Sequence, residues 1–263
     1  MNYAMITGAS SGIGLEYARQ LAAKGMNILV VSNQPEANEK VAASLVRDFG
    51  VKALPVYSDL SQDNAAQQLY DYCQRSALVV DVLISNAGIL HFGKLVHTDE
   101  AVIQRIIAIH CTTPVKLCRL FGADMCRRGH GHLLLMSSMA SWTLLPTMSL
   151  YGSTKVFLKN FGKCLWYELR PHGVSVTTVF PSAVDTSFYD IDNKARRRLR
   201  MLGLILSPQR LVRGALKAMF GAKRQYIPDC WTRIEIALCR ITPTWLFLLF
   251  LKLPVIRRIL DRL

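Results

Sequence analysis

Tyr151 and Lys155 stand four residues apart in the stretch YGSTK. On a helix, positions i and i+4 share a face, so a phenol and an ammonium at this spacing are neighbours. A free phenol titrates near about 10, and an adjacent cation favours the phenolate. That moves the group toward the pH range in which a tyrosine gives or takes a proton. An isolated Y-x-x-x-K is equally an amphipathic helix with one aromatic and one solvated lysine. The elements around it have to decide.

Those elements alternate. NYAMIT, MNILVVS, KALPVYS, VVDVLISN, HLLLMSS and VSVTTVF are short runs rich in apolar and β-branched residues. Between them lie helix-length segments at 12–24, 35–49, 61–76, 99–128 and 148–171. Nearly continuous apolar strands separated by helices predict a parallel sheet covered on both faces, and right-handed crossovers make it doubly wound. ILSPQRLVRGALKAMFG adds a helix with Ser207 as N-cap and Pro208 in its first turn, and RQYIPD a last short strand. The expected fold class is α/β: one Rossmann-type domain over residues 1–230, followed by an apolar, basic tail over 231–263.

The first strand runs into TGASSGIG and then a helix. Gly8, Gly12 and Gly14 remove side chains at this turn, where backbone can approach a pyrophosphate held at a helix N-terminus. Ser10, Ser11 and Ile13 complete it. A glycine-rich turn alone is weak evidence; after an N-terminal strand in an alternating pattern it is specific.

TGASSGIG, Asp59 in SDL, the NAG of residues 86–88, Ser138, Tyr151 and Lys155, in that order, resemble the short-chain dehydrogenase/reductase family. The resemblance spans roughly residues 2–228. It implies hydride transfer between a nicotinamide and a carbonyl or alcohol carbon. Tyr151 would then be the proton donor, and Lys155 would lower its pKa and bind the nicotinamide ribose. Ser138 would hold the substrate oxygen; Ser137 beside it reads as structural. Asp59 and Leu60 would border the adenine, and Asn86, Ala87 and Gly88 the same cleft, with Asn86 also stitching the sheet. Pro181, Val184 and Thr186 would meet the nicotinamide.

Two positions depart from the family pattern. His110 stands where an asparagine is usual, supporting a water that leads to the lysine; the imidazole is expected to hold that water, with a packing substitution as the alternative. Pro181-Ser182 replaces the usual Pro-Gly. At the end of the second strand stand Ser32 and Asn33, with Glu36 beyond reach. No carboxylate there repels a 2′-phosphate, so NADP(H) is the expected cofactor and NAD(H) the second choice.

Other chemistries find no support. GHGH at 129–132 reads as a turn with exposed imidazoles, no Cys/His spacing suggests a metal, and no G-x-S-x-G elbow is present. The seven cysteines show no C-x-x-C, so buried, reduced thiols are expected. No basic region followed by a long apolar stretch stands after Met1, so no secretory signal is expected.

Net charge is +14, and residues 190–263 carry 16 Lys/Arg against 5 Asp/Glu. The chain closes on ITPTWLFLLFLKLPVIRRILDRL, whose uncharged run 241–251 is short of the ~20 residues that span a bilayer. Trp245, Phe247 and Phe250 beside Arg240, Lys252, Arg257, Arg258 and Arg262 suit an interfacial segment. A helix packed on the domain and a dimer contact compete with that reading. Nucleic acid is not expected, because no binding module appears. The segment 193–208, with Arg196, Arg197 and Arg198 among leucines, occupies the family's substrate-lid position. The expectation is an NADPH-dependent reductase of a lipophilic ketone such as ketosphinganine or a ketoacyl lipid. It would be cytoplasmic, peripheral on the cytoplasmic face of a membrane, and a homodimer or homotetramer. The alternatives are a hydroxysteroid or bile-acid dehydrogenase and, in another class, an inactive nucleotide-binding membrane adaptor.

Overall fold

The computed structural model describes residues 2–143, 147–185 and 205–243, together with Leu246 and Leu249. Five wholly or largely buried strands, β1 (Tyr3–Thr7), β2 (Asn27–Ser32), β4 (Val80–Ser85), β5 (Gly131–Met136) and β6 (Val174–Val179), form its centre, and β3 (Ala53–Tyr57) is a half-exposed strand at one edge. A two-residue β7 (Gln225–Tyr226) closes the edge. All neighbours pair in parallel, in the order β3-β2-β1-β4-β5-β6-β7. The chain reverses direction across the sheet between β1 and β4. The carboxyl ends of those two strands therefore open a crevice, where ligands of such sheets collect.

The helices are α1 (Gly12–Ala22), α2 (Pro35–Phe49), α3 (Ala65–Arg75), α4 (Glu100–Ile107), α5 (Thr113–Arg128), α6 (Ser149–Leu169), α7 (Pro208–Phe220) and α8 (Cys230–Ile241). One core layer packs α1, α2 and α7 on one face of the sheet around Tyr17, Leu21, Leu45 and Leu211. The other packs α3, α5 and α6 on the opposite face around Leu69, Leu117, Phe121 and Leu165. Strands buried on both faces explain the lack of alternation in their sequences. Ser207 caps α7, accepting from the Arg210 N–H, as its type and place predict.

Three details differ from expectation. The segment 99–128 is not one α-helix: a π-helical turn, Ala108–Thr112, separates α4 from α5 and carries His110. His132 lies in β5, half-buried, with Nδ1 2.6 Å from the Ser175 hydroxyl, while His130 is exposed. Of the cysteines, Cys73 and Cys118 are buried but Cys164, Cys230 and Cys239 are exposed. By length and hydropathy the run Glu100–Arg128 could cross a membrane, yet half of its most apolar 18-residue stretch is buried within the protein, as expected of a core helix.

Candidate active site

The β1–α1 turn is built by steric necessity. Gly8 has φ +67°, and a Cβ there would stand 3.0 Å from Ala87 Cα. A Cβ on Gly14 would stand 2.1 Å from the Gly8 carbonyl oxygen, so only glycine lets α1 close onto the turn. Ser11 caps α1 by position, but its side chain makes no cap hydrogen bond, and the first turn holds no acid. The orphan N–H groups and the positive end of the helix dipole are thus left for an anion. This turn fits the diphosphate of a dinucleotide.

Thr7 joins the turn to β4. Its hydroxyl oxygen accepts from the Asn86 and Ala87 N–H groups at 2.9 and 3.0 Å. The Asn86 amide donates back to the Thr7 carbonyl at 2.9 Å. Asn86 therefore borders the cleft and holds the sheet together at once. Asp59 accepts from the Ser61 N–H and hydroxyl at 3.0 and 2.7 Å, and these bonds hold its carboxyl below the usual range. The Arg105 guanidinium adds a smaller push in the same direction. At the end of β2, the buried Ser32 hydroxyl donates to Asn38 Oδ1 at 2.6 Å, and Asn38 donates to the Ser32 and Val56 carbonyls. That network leaves Asn33 and Gln34 as exposed, neutral lining.

Tyr151 and Lys155 lie on the first two turns of α6, both buried, with Lys155 Nζ 5.4 Å from the centre of the phenol ring. Lys155 donates to the Met136 carbonyl at 3.0 Å. Burial pulls its ammonium down to about 8. Ser137 donates to the Lys155 carbonyl at 2.8 Å and so ties β5 to α6, the structural part expected of it. Ser138 accepts the Ala140 N–H at 3.1 Å, which leaves its O–H to donate elsewhere.

His110 sits behind this row and does not line the cleft. Its Nε2 accepts the Ile89 N–H at 3.0 Å, and its Nδ1 lies 2.9 Å from the Thr154 hydroxyl oxygen. Thr154 in turn donates to the Tyr151 carbonyl at 2.7 Å, so the threonine oxygen must receive the Nδ1 proton. Both ring nitrogens are therefore engaged, and none remains for a water. Burial, and then repulsion from Lys155, holds this imidazole well below 6.5, hence neutral. The expectation of a water on the side chain gives way to a bridge between the NAG loop and α6.

A single cleft of about 460 Å³ joins these parts. It is lined by Gly8, Ser10, Ser11, Gly12, Ile13, Ser32, Asn33, Asp59, Leu60, Asn86, Ala87, Gly88, Ser138, Tyr151, Lys155, Pro181 and Val184, all expected from the sequence. Gly14 shapes the turn without reaching the cleft. Thr186 and most of the lid segment lie outside the described residues; the flanks of that segment are joined by a parallel bridge between Val184 and Leu206. Sequence reasoning missed Gln34, Ser58, Ile89, Arg105, Ile109, Met136 and Ser182. Gln34, Ser58 and Ile89 adjoin recognised motifs and were within reach of it. Arg105 carries no local signal, because its approach to the cleft depends on how α4 is rotated.

The family pattern described as short chain dehydrogenase matches residues 2–197. A very-long-chain 3-oxoacyl-CoA reductase of Podospora anserina is 31% identical over 237 residues, covering 88% of this chain and 66% of that protein. A Mycobacterium tuberculosis protein named "Probable oxidoreductase EphD" is 34% identical over 183 residues, which is 69% of this chain but only 31% of the relative. The structure of a short-chain dehydrogenase from Sphingobium yanoikuyae, in complex with NADPH, superposes with a TM-score of 0.79 at 26% identity, covering 90% of this chain and 93% of the other.

Proposed function

Because the chain belongs to the short-chain dehydrogenase family of NAD(P)-dependent oxidoreductases, we propose that it reduces the ketone of a lipophilic substrate to the alcohol, with NADPH as the preferred cofactor. The observation that carries this reading is the continuity of one cleft, from the glycine turn to Ser138, Tyr151 and Lys155. The lipid assignment draws on the 3-oxoacyl-CoA reductase relatives and on the apolar lid and tail sequences. A long-chain 3-oxoacyl thioester or ketosphinganine is the substrate class.

In this reading the glycine turn and the start of α1 hold the cofactor's diphosphate, Asp59 and Leu60 border its adenine, and Asn33 faces the 2′-phosphate. Bound there, the nicotinamide supplies the hydride. Ser138 donates a hydrogen bond to the substrate carbonyl oxygen, which polarises it and places it. Tyr151 gives its phenolic proton to the same oxygen as negative charge develops. Lys155, fixed by the Met136 carbonyl, stabilises the phenolate left behind. The low-dielectric wall around Lys155 makes that stabilisation larger than it would be in water.

The test is NADPH consumption by the full-length protein with a 3-oxoacyl thioester and with ketosphinganine in mixed micelles, beside Tyr151→Phe. Turnover lost in the variant while NADPH still binds supports the assigned chemistry. Robust turnover of small polar ketones, with none on either lipid, would defeat the substrate class. A ketosteroid substrate in the same assay tests the hydroxysteroid alternative.

A further inference from the structure

α8 carries side chains of opposite fate on two sides. Inward, Thr232 is fully buried and Ile236 nearly so, and Asp229 caps the helix by accepting from the Thr232 N–H at 2.7 Å. Outward, Trp231, Ile234, Leu238 and Ile241 follow at spacings of three, four and three residues, which is one stripe of a helix. They are 51%, 47%, 54% and 74% exposed. One exposed leucine needs no explanation, whereas a row of four on one helix is an interaction surface. Leu246 and Leu249, also exposed, add apolar surface beyond the helix end.

The charge around the stripe selects the occupant. The sequence of α8 holds two cations, Arg233 and Arg240, against a single acid, Glu235, and Lys252, Arg257, Arg258 and Arg262 follow it. A second copy docked stripe to stripe would bring two strongly basic segments together, which costs energy unless salt screens them. A surface of negative headgroups gains from the same charges. The helix has 12 residues, about 18 Å at ~1.5 Å per residue, too short to cross a hydrocarbon core of about 30 Å. It can therefore only lie in the plane of an interface, apolar stripe inward and cations at headgroup level.

We propose that the outward face of α8 is a docking surface for an anionic lipid bilayer, with Trp231, Ile234, Leu238 and Ile241 as its apolar anchors. The surface adds to the ketoreductase reading without resting on it, because docking requires neither cofactor nor substrate.

The experiment is flotation of the full-length protein with vesicles of phosphatidylcholine alone and of equimolar phosphatidylcholine and phosphatidylglycerol, at low and high salt. Wild type should float with the anionic vesicles, less so in high salt, and remain below with the neutral ones. Ile234→Glu/Leu238→Glu should lose at least about tenfold of that binding while still quenching its fluorescence on NADPH addition. The milder pair Ile234→Ala/Leu238→Ala should lose less. Wild type that stays below with both vesicles overturns the proposal, as does a glutamate pair that floats as well as wild type. A wild-type dimer that the glutamate pair dissociates, with no vesicle binding, assigns the face to a second copy and also overturns it.

Discussion

The bridge through His110 makes a quantitative prediction. Nε2 accepts the Ile89 N–H, and Nδ1–H donates to Thr154, whose hydroxyl donates to the Tyr151 carbonyl. His110→Ala leaves the part-buried Ile89 N–H without its partner and a ring-sized void, together worth about 2–4 kcal/mol of unfolding free energy. The loss also loosens the turn that presents Tyr151, and a small misplacement of the phenol lowers kcat by about 10- to 100-fold. His110→Asn keeps a donor near Nδ1 for Thr154 but is shorter than the path to Ile89, so it recovers part of both losses. The histidine adds a dependence on pH that neither variant has. Its pKa in the fold lies well below the 6.5 of the free group, so between those values the unfolded chain binds a proton that the native state refuses. Stability contributed in this way is complete above 6.5 and falls by up to about 1.4 kcal/mol per pH unit as pH drops below it. Urea unfolding of the three proteins at neutral pH and one to two units below 6.5, with NADPH-linked kcat and KM at neutral pH, reads every term. If His110→Ala unfolds at the wild-type midpoint with the same acid slope, or loses affinity but not kcat, the bridge does not position Tyr151.

Lys155, pulled down to about 8, should give reductive kcat/KM that falls as pH rises through that value, because the lysine then loses the charge that stabilises the phenolate. A pH profile flat across that range would refute it. Its folded pKa lies below the unfolded 10.5, so the unfolded chain binds more protons between the two values and stability should rise with pH across that window. Asn33→Asp places a carboxylate where the 2′-phosphate would lie and should raise the KM for NADPH by about 10- to 100-fold while lowering that for NADH; unchanged constants would move the 2′-phosphate elsewhere. The outer faces of α4 and α6 expose Ile107, Val156 and Phe157, the last two on the long helix α6. Phe157→Glu should therefore shift sedimentation toward a monomer, and an unchanged sedimentation coefficient would remove α6 from the interface.

Much of the fold was legible because each element's sequence agreed with its local physics. The helix over 35–49 and the cap of α7 at Ser207 were readable from periodicity, a first-turn proline and an oxygen-bearing cap. The glycine turn was readable from its place between a strand and a helix, whereas Asp59, the NAG loop, Ser138 and the Y-x-x-x-K pair were readable through their order, which resembles that of the family. What the sequence concealed depends on contacts between residues far apart in the chain. The π-turn at Ala108–Thr112 breaks no local rule of composition, and the burial of both nitrogens of His110 requires Ile89 and Thr154, which lie 21 and 44 residues away. Arg105 reaches the cleft through the rotation of α4, and the outward stripe of α8 exists only because Thr232 and Ile236 take the inward side. The sequence by itself determined the order of the elements and singled out the candidate reacting groups, since propensity and motif chemistry act over a few residues. Tertiary structure alone decided which side chains are shut away from water and which face it, because burial belongs to the packed whole.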